Sequence, residues 1–196
     1  MKTAEIILAS QSPRRNQLLQ WAEIPFVVQV VETDESYPPH LAPADIAMHI
    51  AFNKAAAVKE TRGTLNDNGD ACTILAADTI VVLDNNIIGK PMSRDHAIDT
   101  LNRLSGKTHA VITGVCILSR GKEILFADET LVEFHTLSTG QVEYYVDKYK
   151  PYDKAGAYAI QEWIGVTGIR SISGDFYNVM GLPVSRVVQA LSSISL

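Results

Sequence analysis

Two adjacent arginines stand where the sequence starts a helix. Over residues 6–19 an apolar run ends in Ser10 and Ser12, then come Pro13, Arg14, Arg15 and a leucine-rich helical pattern. Pro13 suits a first helical position, because its fixed φ and missing N–H cost nothing there. A helix start already carries about half a positive charge, so acidic residues normally settle at it. Two guanidinium groups at that end are either solvated with tolerated repulsion or held for an anion. Phosphate is commonly bound in this way where a strand gives way to a helix.

Asp78 is the second residue out of place. In LAADTIVVL it interrupts what would otherwise be a buried strand, and an unpaired buried carboxylate is costly. It sits at a strand end or bulge with ordinary solvation, or it is kept as a metal ligand or general base. Thr79 beside it is an ordinary strand residue. Glu35, with Asp34 and Glu32 near it, lies in a proline-rich loop. A solvated acidic loop is one reading. A hard-cation site shared with Asp78 is the other, since magnesium takes one or two carboxylates and completes its shell with water and substrate phosphate. Lys54 interrupts the inward face of a helix, Lys90 is held between Gly89 and Pro91, and Lys154 lies in YDKAG. Each alone reads as a snorkelling lysine. Three lysines, two arginines and two acids in an acidic chain together suggest a phosphate-rich ligand bridged by a cation. Gln161, which ends GAYAIQ close to Tyr158, is a surface amide or a hydrogen-bonding group for a base edge.

The elements that must position these residues alternate between strand and helix patterns, with no internal repeat. Strands are expected over 5–9 and 25–31 with a helix over 13–21 between them, followed by a loop over 33–43 that three prolines keep irregular. A long helix is expected over 44–60 and a polar loop over 61–72. Then comes an apolar strand over 73–83 with a DNN turn and a short return strand. Ser93 caps a helix to about Leu104, with Gly106 as its stop. Residues 110–118 and 123–134 alternate as two antiparallel strands joined at Arg120 and Gly121. Ser138 and Gln141 form a capping box that opens a helix to about Tyr149. The remainder is irregular with short strands, five glycines and a strand-like GAYAIQ, until Pro183 opens a final helix. The fold class is α/β, a mixed twisted sheet with flanking helices.

At 196 residues the chain suits one domain, or two lobes sharing a core, and can bury about 70% of its unfolded surface. A net charge of -5 argues against broad attraction to nucleic acid or anionic membrane, so an anion site must be local. Cys72 and Cys116 lie in apolar runs and read as core residues in a reducing compartment. No secretory leader or membrane span is evident, and the expected localisation is cytoplasmic. The five histidines lack paired-ligand spacing, which makes a zinc site a poor reading. LSGKT over 104–108 resembles the end of a P-loop, but Leu101 stands where that motif needs a glycine, and a helix precedes it where a strand should. No GxGxxG opens a βαβ unit, and Ser10 and Ser12 have no GxSxG context.

Taken together and in order, LASQSPRR, AADT, GKP, ITGV, YDKAGAYAIQ and GDFYNVMGLP resemble the Maf family of nucleoside triphosphate pyrophosphatases, over 6–183. The resemblance implies a single domain over 1–196 with two lobes around a deep cleft, of Maf/ITPase-like type. It also implies a divalent-metal-dependent attack of water that yields nucleoside monophosphate and pyrophosphate. By the same resemblance the loop with Ser10 and Ser12 binds the triphosphate, and Asp78 accepts the proton from water. Glu35, Lys54, Lys90 and Lys154 line the metal and phosphate site beside Arg15, with Glu35 and Asp78 as metal ligands to magnesium or manganese. Arg14, Thr79 and Gln161 match positions tied to base selection in the dTTP/UTP branch. Asp175 and Tyr177 depart from the small or polar residues common in the family at their positions. The implied partner is a nucleoside triphosphate, with no nucleic acid, no membrane, and a homodimer left open. Two alternatives stand beside this: a 7-methyl-GTP or broader-specificity pyrophosphatase, and a nucleotide-sensing regulator of cell division.

Overall fold

The structure is a computed structural model that describes residues 5–62, 72–119 and 121–194. Strand β1 (Glu5–Leu8) runs parallel to β2 (Phe26–Val28), with Ile6 opposite Phe26, and parallel to β3 (Cys72–Leu83), with Leu8 opposite Leu75. Helix α1 (Pro13–Trp21) connects the first two strands. Strand β2 is shorter than the pattern over 25–31 predicts, because its residues are half-buried or exposed and only three pair with β1. The loop after it leads into α2 (Pro43–Arg62), and the polar loop expected over 61–72 lies mostly outside the described residues.

Beyond β3 a turn at Asp84 and Asn85, both at positive φ, folds back β4 (Asn86–Ile88) antiparallel to it. Such a turn favours Asp and Asn because their short side chains tolerate the left-handed region. Helix α3 (Arg94–Leu104) has the expected Ser93 cap, whose hydroxyl accepts from the His96 N–H. Strands β5 (Thr108–Ser119) and β6 (Lys122–Phe134) follow, and their junction at Arg120 lies outside the described residues. Helix α4 (Thr139–Tyr149) opens with the predicted capping box of Ser138 and Gln141. The glycine-rich remainder is more helical than its sequence suggests. It holds a 3-10 turn over Ala155–Ala157, α5 (Trp163–Gly168), β7 (Ile169–Ser173), α6 (Phe176–Met180) and α7 (Val184–Ile194). The strand-like GAYAIQ is not a strand: Gly156 and Ala157 adopt φ of 72° and 59°, which breaks any extended run.

The sheet order is β2-β1-β3-β5-β6-β7, with β4 attached to β3. This is the mixed α/β sheet with flanking helices that the alternation predicts. The chain divides into two compact units. The first comprises Met1–Asp78, Thr113–Asp128 and Gly181–Leu196, and the second Thr79–Ile112 and Glu129–Met180.

In the first unit α2 packs its alanine face, Ala51 and Ala55 with Val58, onto Ile7, Ile74, Ala76, Cys116 and Leu118. The approach is close enough that a Cβ on Gly114 would lie 2.2 Å from the backbone carbon of Ala47. Cys72 and Cys116 are buried free thiols, as expected, and burial pushes the Cys116 thiol up to about 12. In the second unit His109, Phe134 and Tyr158 form a buried cluster, with His109 Nε2 2.7 Å from the Tyr158 hydroxyl.

Candidate active site

Strands β1 and β2 release chain at the same end, alongside the parallel β3, the place where open α/β sheets gather their ligand groups. Strand β1 ends at Leu8, and after one further ladder bond, Ala9 N–H to the Leu75 carbonyl at 2.8 Å, the chain turns away through Ser10 and Ser12 into α1. Strand β3 runs on. Asp78 therefore lies three residues beyond the last β1–β3 pair, which explains how a carboxylate is accommodated inside an apolar strand. The side chain is half-buried, at 14% exposure. The sequence-based alternative of a strand end with ordinary solvation is corrected: Asp78 lies in the middle of β3, beyond the span paired with β1, and is largely shielded from solvent. The loop that leaves β2 carries Glu35.

Lys54, from the middle of α2, joins these acids. Its Nζ donates to Asp78 Oδ1 at 2.7 Å and lies 2.7 Å from Glu35 Oε1. The interruption of the apolar helix face is thus a lysine aimed at two carboxylates that are 43 residues apart in sequence (78 minus 35). Asp34, the spare acid of that loop, is used locally: its carboxylate accepts from the Ser36 N–H at 2.9 Å and the Ser36 hydroxyl at 2.7 Å, which draws it below the usual carboxylate range.

The two arginines differ. Arg15 shares a helical face with Leu18 and Leu19 and is buried with them. Its Nε donates to the Gly181 carbonyl at 2.8 Å and its Nη1 to Ser10 Oγ at 3.0 Å. Burial lowers its pKa, opposed by attraction to Asp78 and Glu35, so these two carboxylates lie within electrostatic reach of the guanidinium. Arg14 is rotated off that face and half-buried. The spacing to Leu18 and Leu19 was the signal in the sequence that separates the pair. Ser12 does not cap α1 through its side chain; its N–H donates to Ser10 Oγ at 3.3 Å. One unit thus brings together Ser10, Arg15, Glu35, Lys54 and Asp78.

The remaining predicted residues lie in the second unit. Thr79 directly follows Asp78 on β3 and is half-buried. Lys90 is exposed in the turn after β4, and the neighbouring Gly89 carbonyl accepts from the Gly156 N–H at 3.3 Å, which ties that turn to the 3-10 turn next to Lys154. Lys154 is buried at 8% exposure; its Nζ donates to Asp153 at 2.7 Å and lies 3.6 Å from Glu162 Oε1. Gln161 is exposed. Glu162 and Asp153 escaped the sequence analysis, since an acid in a polar stretch carries no signal until its partner is known.

A hard cation fits the first cluster by type. Glu35 and Asp78 present carboxylate oxygens toward one point, the donors magnesium and manganese prefer. Among the described residues no group of three or more His, Cys, Asp or Glu converges. A cation here would therefore rely on water or substrate oxygens for the rest of its shell.

Residues 5–194 match the model of a family described as Maf-like protein. A protein of Parabacteroides distasonis named dTTP/UTP pyrophosphatase is 46% identical over 97% of this chain and 96% of its own. One of Cytophaga hutchinsonii with the same name is 46% identical over 99% of this chain and 86% of its own. Among solved structures, the Staphylococcus aureus Ham1 protein aligns over 66% of this chain and 71% of its own, at 14% identity with a TM-score of 0.46.

Proposed function

The chain belongs to the family of Maf-like proteins, and from that premise we propose that it hydrolyses nucleoside triphosphates, dTTP and UTP first, to nucleoside monophosphate and pyrophosphate. The observation that carries this reading is the convergence of Lys54 with Glu35 and Asp78, within electrostatic reach of the buried Arg15. Cleavage of a phosphoric anhydride spreads negative charge over several oxygens, and a fixed guanidinium and ammonium stabilise that charge without reorganising.

Asp78 takes the proton of the attacking water in this reading. Arg15, held by Gly181 and Ser10, binds phosphate oxygens, and Ser10 and Ser12 line the same loop. Lys54 sits between the two acids and supplies positive charge to the triphosphate, to which Lys90 and Lys154 add. Glu35 and Asp78 would hold magnesium or manganese, which when bound supplies neutralisation of phosphate charge. Arg14, Thr79 and Gln161 select the base. No helix among the described residues is long and apolar enough to cross a membrane; the setting proposed for the reaction is cytoplasmic.

Pyrophosphate release from a panel of canonical and modified nucleotides, with each metal, tests the reading. Turnover of dTTP and UTP above the others supports it. Preference for 7-methyl-GTP reassigns the base, and tight nucleotide binding without pyrophosphate release would replace the enzyme by a sensor.

A further inference from the structure

We infer that Glu162, held from behind by Tyr145, is a positioning residue that fixes the Lys154 ammonium for the triphosphate. The assignment of Lys154 to phosphate rests on the proposed function; the positioning itself rests on geometry within the second unit.

Tyr145 projects from α4 with its ring fully buried, stacked on Tyr149 at 4.9 Å between centroids. Its hydroxyl accepts the Ala159 N–H at 3.2 Å and donates to Glu162 Oε2. Burial, and then the bond to Glu162, push the Tyr145 phenol up, so it remains a donor at neutral pH. The other carboxylate oxygen, Oε1, lies 3.6 Å from Lys154 Nζ. One buried hydroxyl thereby ties both the backbone at Ala159 and the carboxylate that faces Lys154.

The backbone of Glu162 is fixed independently. Its N–H donates to the Ala159 carbonyl at 3.1 Å, and its own carbonyl accepts from the Gly165 N–H at 3.0 Å. Gly165 permits this tight turn: a Cβ there would lie 1.8 Å from the Ile160 carbonyl oxygen. With the main chain set, what decides where the carboxylate rests is the Tyr145 hydroxyl.

The two acids around Lys154 are therefore unequal. The Asp153 side chain is 60% exposed and that of Glu162 23%. An exposed ion pair contributes little and exchanges readily, so an incoming phosphate oxygen can take the place of Asp153. Glu162 stays, because it is bonded on its far side, and it keeps the ammonium extended.

The test is a double-mutant cycle on pyrophosphate release from UTP, with Glu162→Gln, Tyr145→Phe and Lys154→Ala, alone and in pairs, alongside the thermal midpoint of each. Glu162→Gln is isosteric and still accepts from Tyr145, so it carries the test even where Tyr145→Phe fails to fold. The expected result is a rise in KM of roughly three- to tenfold for Glu162→Gln with kcat nearly unchanged, and no further rise in the Lys154→Ala background. A lower midpoint with unchanged KM, or effects that add to those of Lys154→Ala, would overturn the assignment. If the wild-type protein releases no pyrophosphate, the proposed function fails by itself. The labelling rate of Lys154 by an acetylating reagent, read by peptide mass, then decides the positioning: faster labelling in Glu162→Gln upholds it, and an unchanged rate overturns it.

Discussion

Lys54 and Lys154 are each caught between two carboxylates, yet the two regions are built differently. The partners of Lys54 come from different elements, Glu35 from a loop after β2 and Asp78 from β3, and the Glu35 side chain is 51% exposed. Those of Lys154 are the preceding residue and a glutamate eight positions on whose carboxylate is bonded to a buried tyrosine. The first cluster is a set of charges that a ligand can rearrange. The second is a charge held in one place by a scaffold. Another buried contact of the second unit is equally fixed: His109 Nε2 pairs with the Tyr158 hydroxyl within an aromatic cluster, away from solvent.

If the first region is the chemical one, the largest effect falls on Asp78. Asp78→Asn should lower turnover of UTP by about 10²- to 10⁴-fold while the thermal midpoint stays near wild type. Near-normal turnover in that variant would erase the contrast between the regions.

The second region should instead fail by its structure, and acid is the means. Burial pushes His109 down from 6.5 to about 4, so the folded protein binds this proton less readily than the unfolded chain. Its contribution is complete above pH 6.5 and is lost as pH falls toward 4, on the order of 3 kcal/mol across that window. Urea midpoints measured between pH 7.5 and 4 should decline, and less steeply in His109→Gln.

Arg15 tests whether a residue of the first region also serves the fold. Arg15→Ala removes the donor to the Gly181 carbonyl and should cost on the order of 2 kcal/mol in urea unfolding, besides weakening apparent affinity for UTP at controlled salt. Arg14→Ala should likewise weaken apparent affinity for UTP. The smallest effect belongs to Arg94, whose bidentate pair with Asp147 at 2.6 and 2.9 Å is exposed. Arg94→Ala should lower the thermal midpoint slightly, less in high salt, and leave kcat/KM unchanged.

The first region was largely legible in the sequence, because its residues violate local expectation. An acid in an apolar strand, a lysine on an apolar helix face and cations at a helix start each contradict their surroundings, and the motif order supplied the rest. The deeper placement of Arg15 than of Arg14 is a subtler signal, contained only in the spacing of Arg15 to Leu18 and Leu19. The second region was hidden for the opposite reason. Tyr145 and Glu162 are each unremarkable in type, and only the return of the chain from α4 through a 3-10 turn brings a hydroxyl 17 positions away onto the carboxylate. The same stretch reads as strand-like, because GAYAIQ alternates in hydrophobicity and the left-handed pair Gly156 and Ala157 leaves no trace in that alternation.

Gly114 acts by omission. Ala47 lies against it on α2, and Lys54 rides on the same helix about two turns further along. A single methyl at position 114 would act as a wedge, levering α2 off the sheet and carrying the lysine with it. The placement of that lysine is thus machined into a main-chain contact that bears no functional group of its own.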